Sequence, residues 1–286
     1  MPATEVAERP AVDADAPEIE RLARDAIAAS ALFGAANVVM QLALLPVGRG
    51  VAESTVDSGR VDVHPFKRQR TTGSYLIVAL LGSEAERAAM RREVNRSHRA
   101  VVRTEEQADV AYSAFDPALQ LWVAACIYVG FSVWLELARG PLPAEQHDAF
   151  YRRCSRLATT LQVPEDLWPA DREAFHAYWG QALRGIEMDE VTRGYLRDLA
   201  HVRFLAPWAR RLVAAPNRLL TVGFLPERFR ELLGEPWTAR DQRRFERFLR
   251  CALYLDRRLP AWVRHGLLNV YELDVKRRIR RGRPIV

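Results

Sequence analysis

The sequence predicts an all-α protein that forms a single multi-helix domain around a buried central helix. Apolar residues recur at helical spacing in nearly every segment, helix-start signals precede two of these segments, and β-type alternation, internal repeats and glycine-rich phosphate loops are absent. Hydrophobic residues make up 49% of the 286 positions, which is enough for a sizeable core and excludes a wholly disordered chain.

Two helices are predicted near the beginning of the chain, over residues 18–31 and 35–47. The second is apolar on almost every side and should therefore be buried. Pro46, Gly48 and Gly50 should break or kink it, because proline lacks an amide proton and glycine is a poor helix former.

The next two helices carry the candidate site. The first should span residues 65–81 and end at Gly82, which suits a helix C-terminus. The second should begin after Ser83, whose spacing from Glu86 matches a capping box, and continue to about Val102.

The central helix follows Asp116 and Pro117, a helix N-cap followed by proline at the first helical position. The chain then reaches Glu136 without a charged residue, which is long enough for a membrane span. Gln120 and Gly130 within the helix, and the absence of a second such segment, favour the core helix of a soluble bundle.

The rest of the chain should consist of amphipathic helices. They are predicted near residues 144–161, 171–184, 189–201, 206–215, 226–234 and 238–257, with one more after Pro260. The helical domain is thus expected over residues 18–275, between a flexible acidic leader, 1–17, and a basic tail, 276–286. The leader lacks the features of an export signal and the three cysteines are far apart, so we expect a cytoplasmic protein without disulfides.

The positive charge is concentrated in the tail. Residues 276–286 contain six lysines and arginines and no acid, which accounts for the whole formal net charge of +6. This tail is the only support for a nucleic-acid-binding module, and we expect no nucleic acid as a partner. The tail is either a solvated terminus or a weak docking patch for an anionic membrane or an acidic partner.

His98 is the first candidate for chemistry, because a helical protein without a phosphate loop or a catalytic triad usually depends on a metal or a cofactor. It follows Val94 by four residues and so lies on or beside the apolar stripe of its helix. A neutral imidazole in an apolar wall can be the axial ligand of a haem iron. From spacing alone, a hydrogen-bonded core or boundary histidine is the commoner case.

Arg68 and Thr72 are the second candidates, because residues four apart share one helix face. A guanidinium beside a hydroxyl could pair with a haem propionate or polarise bound dioxygen. The alternative is the solvated start of a basic helix.

Other metal sites have weaker support. Glu173 and His176 have the Glu-x-x-His spacing of carboxylate-bridged di-iron bundles, but that architecture needs two such pairs and only one is present. For Cys154, a buried free cysteine is the default alternative to a thiolate ligand. The chain has no C-x-x-C-H motif, which excludes covalent c-type haem.

Seven stretches occur in an order that resembles the MpaB-type oxygenase family, which includes the catalytic domain of latex-clearing rubber oxygenases. They are QLALLPVGRGVAES (41–54), RQRTTGSYLIVALLG (68–82), VNRSHRAVV (94–102), YSAFDPALQLWV (112–123), GPL (140–142), FYRR (150–153) and LQVPEDL (161–167). The resemblance covers roughly residues 20–240.

This resemblance implies a globin-like helical core that holds non-covalent haem b. The proximal iron ligand would be His98, and the family's Arg-x-x-x-Thr pair near the haem would be Arg68 and Thr72. Thr71 stands where rubber oxygenases have a lysine, and Ala124 stands where many relatives have a histidine. Because the export signal of rubber oxygenases is also not recognisable, rubber cleavage is not expected.

Together, these observations predict a haem b-dependent oxygenase or peroxygenase that acts on an apolar substrate (an isoprenoid, a lipid or a polyketide-like molecule) with dioxygen or peroxide. The expected apolar wall comprises Val38, Met40, Leu119, Trp122 and Phe131. A non-catalytic haem-binding or sensor protein with the same ligand stays open, as does a carboxylate and histidine metal protein of the di-iron type.

Overall fold

The structure is a computed structural model that describes residues 17–54, 64–104, 106–107 and 109–285. Its helices are α1 (Pro17–Leu42), α2 (Leu45–Ala52), α3 (Pro65–Leu81), α4 (Glu84–His98), α5 (Pro117–Arg139), α6 (Ala144–Cys154), α7 (Arg156–Thr159), α8 (Arg172–Ala182), α9 (Glu190–Ala200), α10 (Pro207–Gly223), α11 (Glu227–Leu233), α12 (Ala239–Arg258), α13 (Ala261–Arg264) and α14 (Gly266–Arg280). The described strands are β1 (Val102–Arg103) and β2 (Tyr112–Ser113), which pair antiparallel. The prediction of an all-α domain is confirmed, whereas the predicted leader lies outside the described residues except for Pro17.

The core is organised around the pairing of α1 with α5. Phe33 of α1 stacks on Trp134 of α5 with ring centroids 6.4 Å apart and contacts Phe131 edge-to-face. The expectation of a buried central helix is therefore met by α5. The expectation that no second segment would be long and apolar enough to span a membrane was wrong, because α1 also meets this condition by length and composition.

The first two predicted helices are in fact one continuous helix, α1, which passes through Gly34 and ends at Leu42. Pro46 was expected to break a helix, but it lies in the first turn of α2. Proline is tolerated there because the first amide groups of a helix have no hydrogen-bond acceptor within the helix. Gly48 lies inside α2 at a close contact with α9: a Cβ there would stand 2.7 Å from the Thr192 side chain.

Local capping signals fixed the helix starts as predicted. The Ser83 hydroxyl accepts a hydrogen bond from the Glu86 amide, and the Glu86 carboxylate accepts one from the Ser83 amide, at 3.3 and 2.8 Å. Asp116 caps α5 through the amide of Ala118 at 2.7 Å. The helix that was expected to reach Val102 ends earlier, at His98, because the chain then turns into β1.

The C-terminal residues are not a detached tail, contrary to the predicted boundary at residue 275. Helix α14 continues to Arg280 and packs on α3, where Gly73 leaves room for the Tyr271 ring. Beyond the helix, Ile285 is buried in a small apolar cluster with α3 and α4, and its amide donates to Glu93 at 3.2 Å. Ile285 therefore anchors residues 276–285 to the domain, although the positive charge of this segment suggested that it would be solvated.

A buried carboxylate ties the two ends of the domain together. Asp25 of α1, 5% exposed, accepts a hydrogen bond from His265 Nε2 at 2.7 Å and another from Arg264 Nη1 at 3.0 Å. Arg139, at the end of α5, forms a third ion pair with it. The start of α14 is thereby held against both core helices.

Candidate active site

His98 is the last residue of α4, and the β1–β2 pair brings a second segment of backbone against it. Val101 donates its amide to the His98 carbonyl, and the amide of Ala114 donates to the Val101 carbonyl, both at 2.9 Å. The Phe115 ring lies edge-on to the imidazole, 6.2 Å between centroids. The short strand pair thus explains why a histidine at a helix end is partly buried.

The imidazole of His98 is neutral and has one nitrogen without a partner. Burial and, second, the positive charge of Arg68 lower its pKa to about 4, although a hydrogen bond with the Ala114 backbone acts in the opposite direction. Only an acceptor favours the charged imidazole, so the group involved is the Ala114 carbonyl. Nδ1 is buried and makes no hydrogen bond within the described part of the protein.

A chain of amides holds this carbonyl in place. Gln120 of α5 donates to the Ala114 carbonyl at 2.7 Å and to the side chain of Gln162 at 2.6 Å. Gln162 in turn donates to Asn95 on α4, one turn before His98. The sequence indicated this network only through Gln120, a polar residue inside an apolar helix. It did not indicate which groups Gln120 would contact.

Arg68 lies in the first turn of α3, where its amide donates to the His64 carbonyl at 2.9 Å. Burial lowers the pKa of its guanidinium, and an electrostatic interaction with Tyr195 of α9 partly opposes this shift. The charge of Arg68 also acts on His98, so these two predicted residues lie within electrostatic reach of each other. Tyr195 was missed, since nothing in the sequence relates α9 to α3.

Thr72 does not share this environment. It is exposed, whereas the preceding residue, Thr71, is buried and its hydroxyl has no hydrogen-bond partner among the described residues. Thr71 is therefore the threonine of α3 that faces the protein interior.

The alternative metal sites find no support. Glu173 and His176 are both exposed on α8, and no group of three or more histidine, cysteine, aspartate or glutamate side chains within the described ranges could hold a metal ion. Cys126 and Cys154 are buried, and burial raises the pKa of both thiols well above the ordinary value, so neither is a thiolate at neutral pH.

The expected apolar wall is only partly buried in the core, because Val38 and Leu119 are half-buried. Met40, Trp122 and Phe131 are all buried, and Trp122 stacks on Trp179 with ring centroids 5.1 Å apart. These three side chains contribute to packing of the core.

The described residues form an all-α domain in which a neutral histidine lies near a partly buried arginine. The chain belongs to the family described as "ER-bound oxygenase mpaB/B'/Rubber oxygenase, catalytic domain", whose model matches residues 21–253. This confirms the resemblance inferred from the seven stretches and identifies an oxygenase catalytic domain.

Two relatives are similar along their whole length. The uncharacterized proteins Mb2261 of Mycobacterium bovis and Rv2237 of Mycobacterium tuberculosis are each 49% identical over 258 residues, covering 89% of this chain and 100% of the relative. No solved structure matches this chain. The globin-like arrangement therefore stays a prediction.

Proposed function

We propose that this protein is a haem b-dependent oxygenase in which His98 is the axial iron ligand and the substrate is an apolar molecule. The observation that carries the proposal is the buried, unpartnered Nδ1 of a neutral imidazole. An enclosed polar atom without a partner is costly, and coordination to a metal would remove that cost.

The surroundings of His98 also fit the requirements of a metal ligand. A ligating histidine usually donates its other ring N–H to a carbonyl or a carboxylate, which fixes the orientation of the ring. The Ala114 carbonyl, held by Gln120, would have this role here. The low pKa of His98 keeps the imidazole in the neutral form that binds iron.

Arg68 would contribute a positive charge at the same place. A carboxylate of the cofactor beside the guanidinium would offset the burial that now lowers the pKa of Arg68. Thr71, with its unpartnered buried hydroxyl, is a better candidate than the exposed Thr72 for a further polar contact. Bound haem b would supply the iron at which dioxygen or peroxide is activated.

The apolar substrate is supported by the family description, which names a rubber oxygenase, and not by the residues first expected to line a wall. Rubber is a polymeric isoprenoid hydrocarbon, so a smaller isoprenoid or another alkene-containing lipid is the substrate class that we propose. The hydrocarbon part of such a molecule has no charged group, so apolar contact would provide most of its affinity.

The first experiment measures the haem content of the purified full-length chain and of His98→Ala. We expect about one haem b per chain in the wild type and loss of most of it in the variant, because the only proposed protein ligand is removed. His176→Ala is the matched control, since this histidine is exposed on α8 and should leave the Soret spectrum unchanged. Imidazole added to His98→Gly should restore the wild-type spectrum.

An unchanged haem content and spectrum in His98→Ala would refute the assignment of the ligand. Oxygen consumption with an alkene-containing lipid then separates the enzyme from a non-catalytic haem-binding protein. Haem binding through His98 with no turnover on any apolar alkene, with dioxygen or with peroxide, would favour the sensor.

A further inference from the structure

The N-terminal half of α10 carries an exposed apolar face. Trp208 and Leu212, one helical turn apart, are 71% and 70% exposed. Ala215, also exposed, and the half-buried Leu219 continue the same stripe at the spacing i, i+4, i+7, i+11. Because an isolated exposed leucine is ordinary but an ordered stripe is not, this face is a candidate interaction surface.

The second half of α10 attaches the helix to the domain. Thr221 and Val222 are buried there, and Arg218 forms an ion pair with Glu235 at 3.0 Å. The first half is therefore an extension of an anchored helix, and it presents its apolar stripe on a rigid support.

The charges of this segment have a single sign. Residues 206–226 contain Arg210, Arg211 and Arg218 and no acid. Arg218 is paired with Glu235 and Asp241, whereas Arg210 and Arg211 are exposed. Arg211 lies beside the apolar stripe, whereas Arg210 is on the opposite side of the helix. The partner that complements this surface must accept apolar side chains and carry negative charge.

We propose that the N-terminal half of α10 docks on the surface of an anionic lipid bilayer. Trp208 and Leu212 enter the boundary between head groups and acyl chains, where tryptophan is favoured, and Arg211 pairs with a lipid phosphate. A second copy of the chain is a poorer partner, because it would bring further arginines to a segment that has no acid to pair with them.

Another exposed cationic surface is at the end of α14. Arg277 and Arg280 are exposed there, one and two turns beyond the exposed Leu273. This surface has similar chemistry but lacks a tryptophan on its stripe, so it provides the matched control.

The test measures sedimentation of the full-length chain with vesicles of phosphatidylcholine alone or mixed with phosphatidylglycerol. We expect binding to the anionic vesicles and weaker binding as salt rises. Trp208→Ser/Leu212→Ser should lose binding about tenfold, and Arg211→Gln about fivefold. Arg277→Gln/Arg280→Gln should bind nearly as well as the wild type. All the substituted side chains are exposed, and circular dichroism verifies that each variant is folded.

Tryptophan fluorescence gives a second readout that locates the contact. Anionic vesicles should shift the emission of the wild type to shorter wavelength, and Trp208→Phe should lose most of that shift. Trp262→Phe, which changes another exposed tryptophan on α13, should retain it.

Three results would overturn the proposal. The first is no binding to anionic vesicles by the wild type. The second is loss of binding in the α14 variant but not in the α10 variants. The third is a dimer of the wild type in solution that Leu212→Ser dissociates, which would assign the face to a second copy.

Discussion

Replacement of Asp25 by asparagine tests whether the buried carboxylate holds the ends of the domain together. The substitution keeps the shape of the side chain but removes the negative charge that Arg139, Arg264 and His265 share. Removal of one partner from a fully buried ion pair costs about 3–5 kcal/mol. The two arginine side chains are 27% and 20% exposed, so water recovers part of this energy. We expect a loss of about 2–3 kcal/mol in the free energy of unfolding.

The assay is urea denaturation followed by circular dichroism at neutral pH, together with a thermal scan. A loss of this size should lower the midpoint temperature by about 5 °C in a domain of this length. Asp198→Asn is the matched control, because its ion pair with Arg203 at 2.9 Å lies at the surface and should contribute less than about 1 kcal/mol. If the two variants unfold at the same urea concentration, the argument that the Asp25 cluster stabilises the fold is wrong.

Three further predictions concern the candidate site and the chain end. Gln120→Leu should weaken haem retention by about tenfold or more without unfolding the protein, because it frees the Ala114 carbonyl that orients His98. Equilibrium transfer of haem to apomyoglobin measures the retention. Arg68→Ala should weaken haem retention by about tenfold, because one charge-assisted contact is lost, whereas Arg68→Lys should keep part of the wild-type retention. Equal retention in the wild type and both variants would show that Arg68 does not contribute to haem binding. Truncation after Val275 should destabilise the domain by about 2 kcal/mol or more, because it removes the buried Ile285 and the end of α14; an unchanged unfolding curve would contradict that packing.

Much of the fold was accessible from the sequence because its signals are local. The capping box of Ser83 and Glu86 and the N-cap of Asp116 act within one helical turn, and both are formed as predicted. The end of α4 at His98 was missed, because it depends on pairing with a strand ten residues later. The continuity of α1 through Gly34 was missed for a similar reason, since packing against α5 offsets the low helix propensity of glycine.

The candidate site was predictable residue by residue but not as an arrangement. Helical periodicity located His98 near an apolar stripe, and the family resemblance selected it. The face of α3 that points inward, with Thr71 buried and Thr72 exposed, follows from how α3 packs against its neighbours. Tyr195 lies on α9, more than a hundred residues after Arg68, and no pattern in the sequence connects the two residues.

The contact between α3 and α14 has a consequence for synthesis of the protein. Arg70 pairs with Asp274 across 204 positions of sequence, and Asp25 with His265 across 240. During translation, the early helices must therefore wait for almost the whole chain before they acquire these partners, and such distant contacts slow folding. A nascent chain that stops before α14 leaves Asp25 without His265 and one side of α3 uncovered, so the core stays incomplete until synthesis is nearly finished.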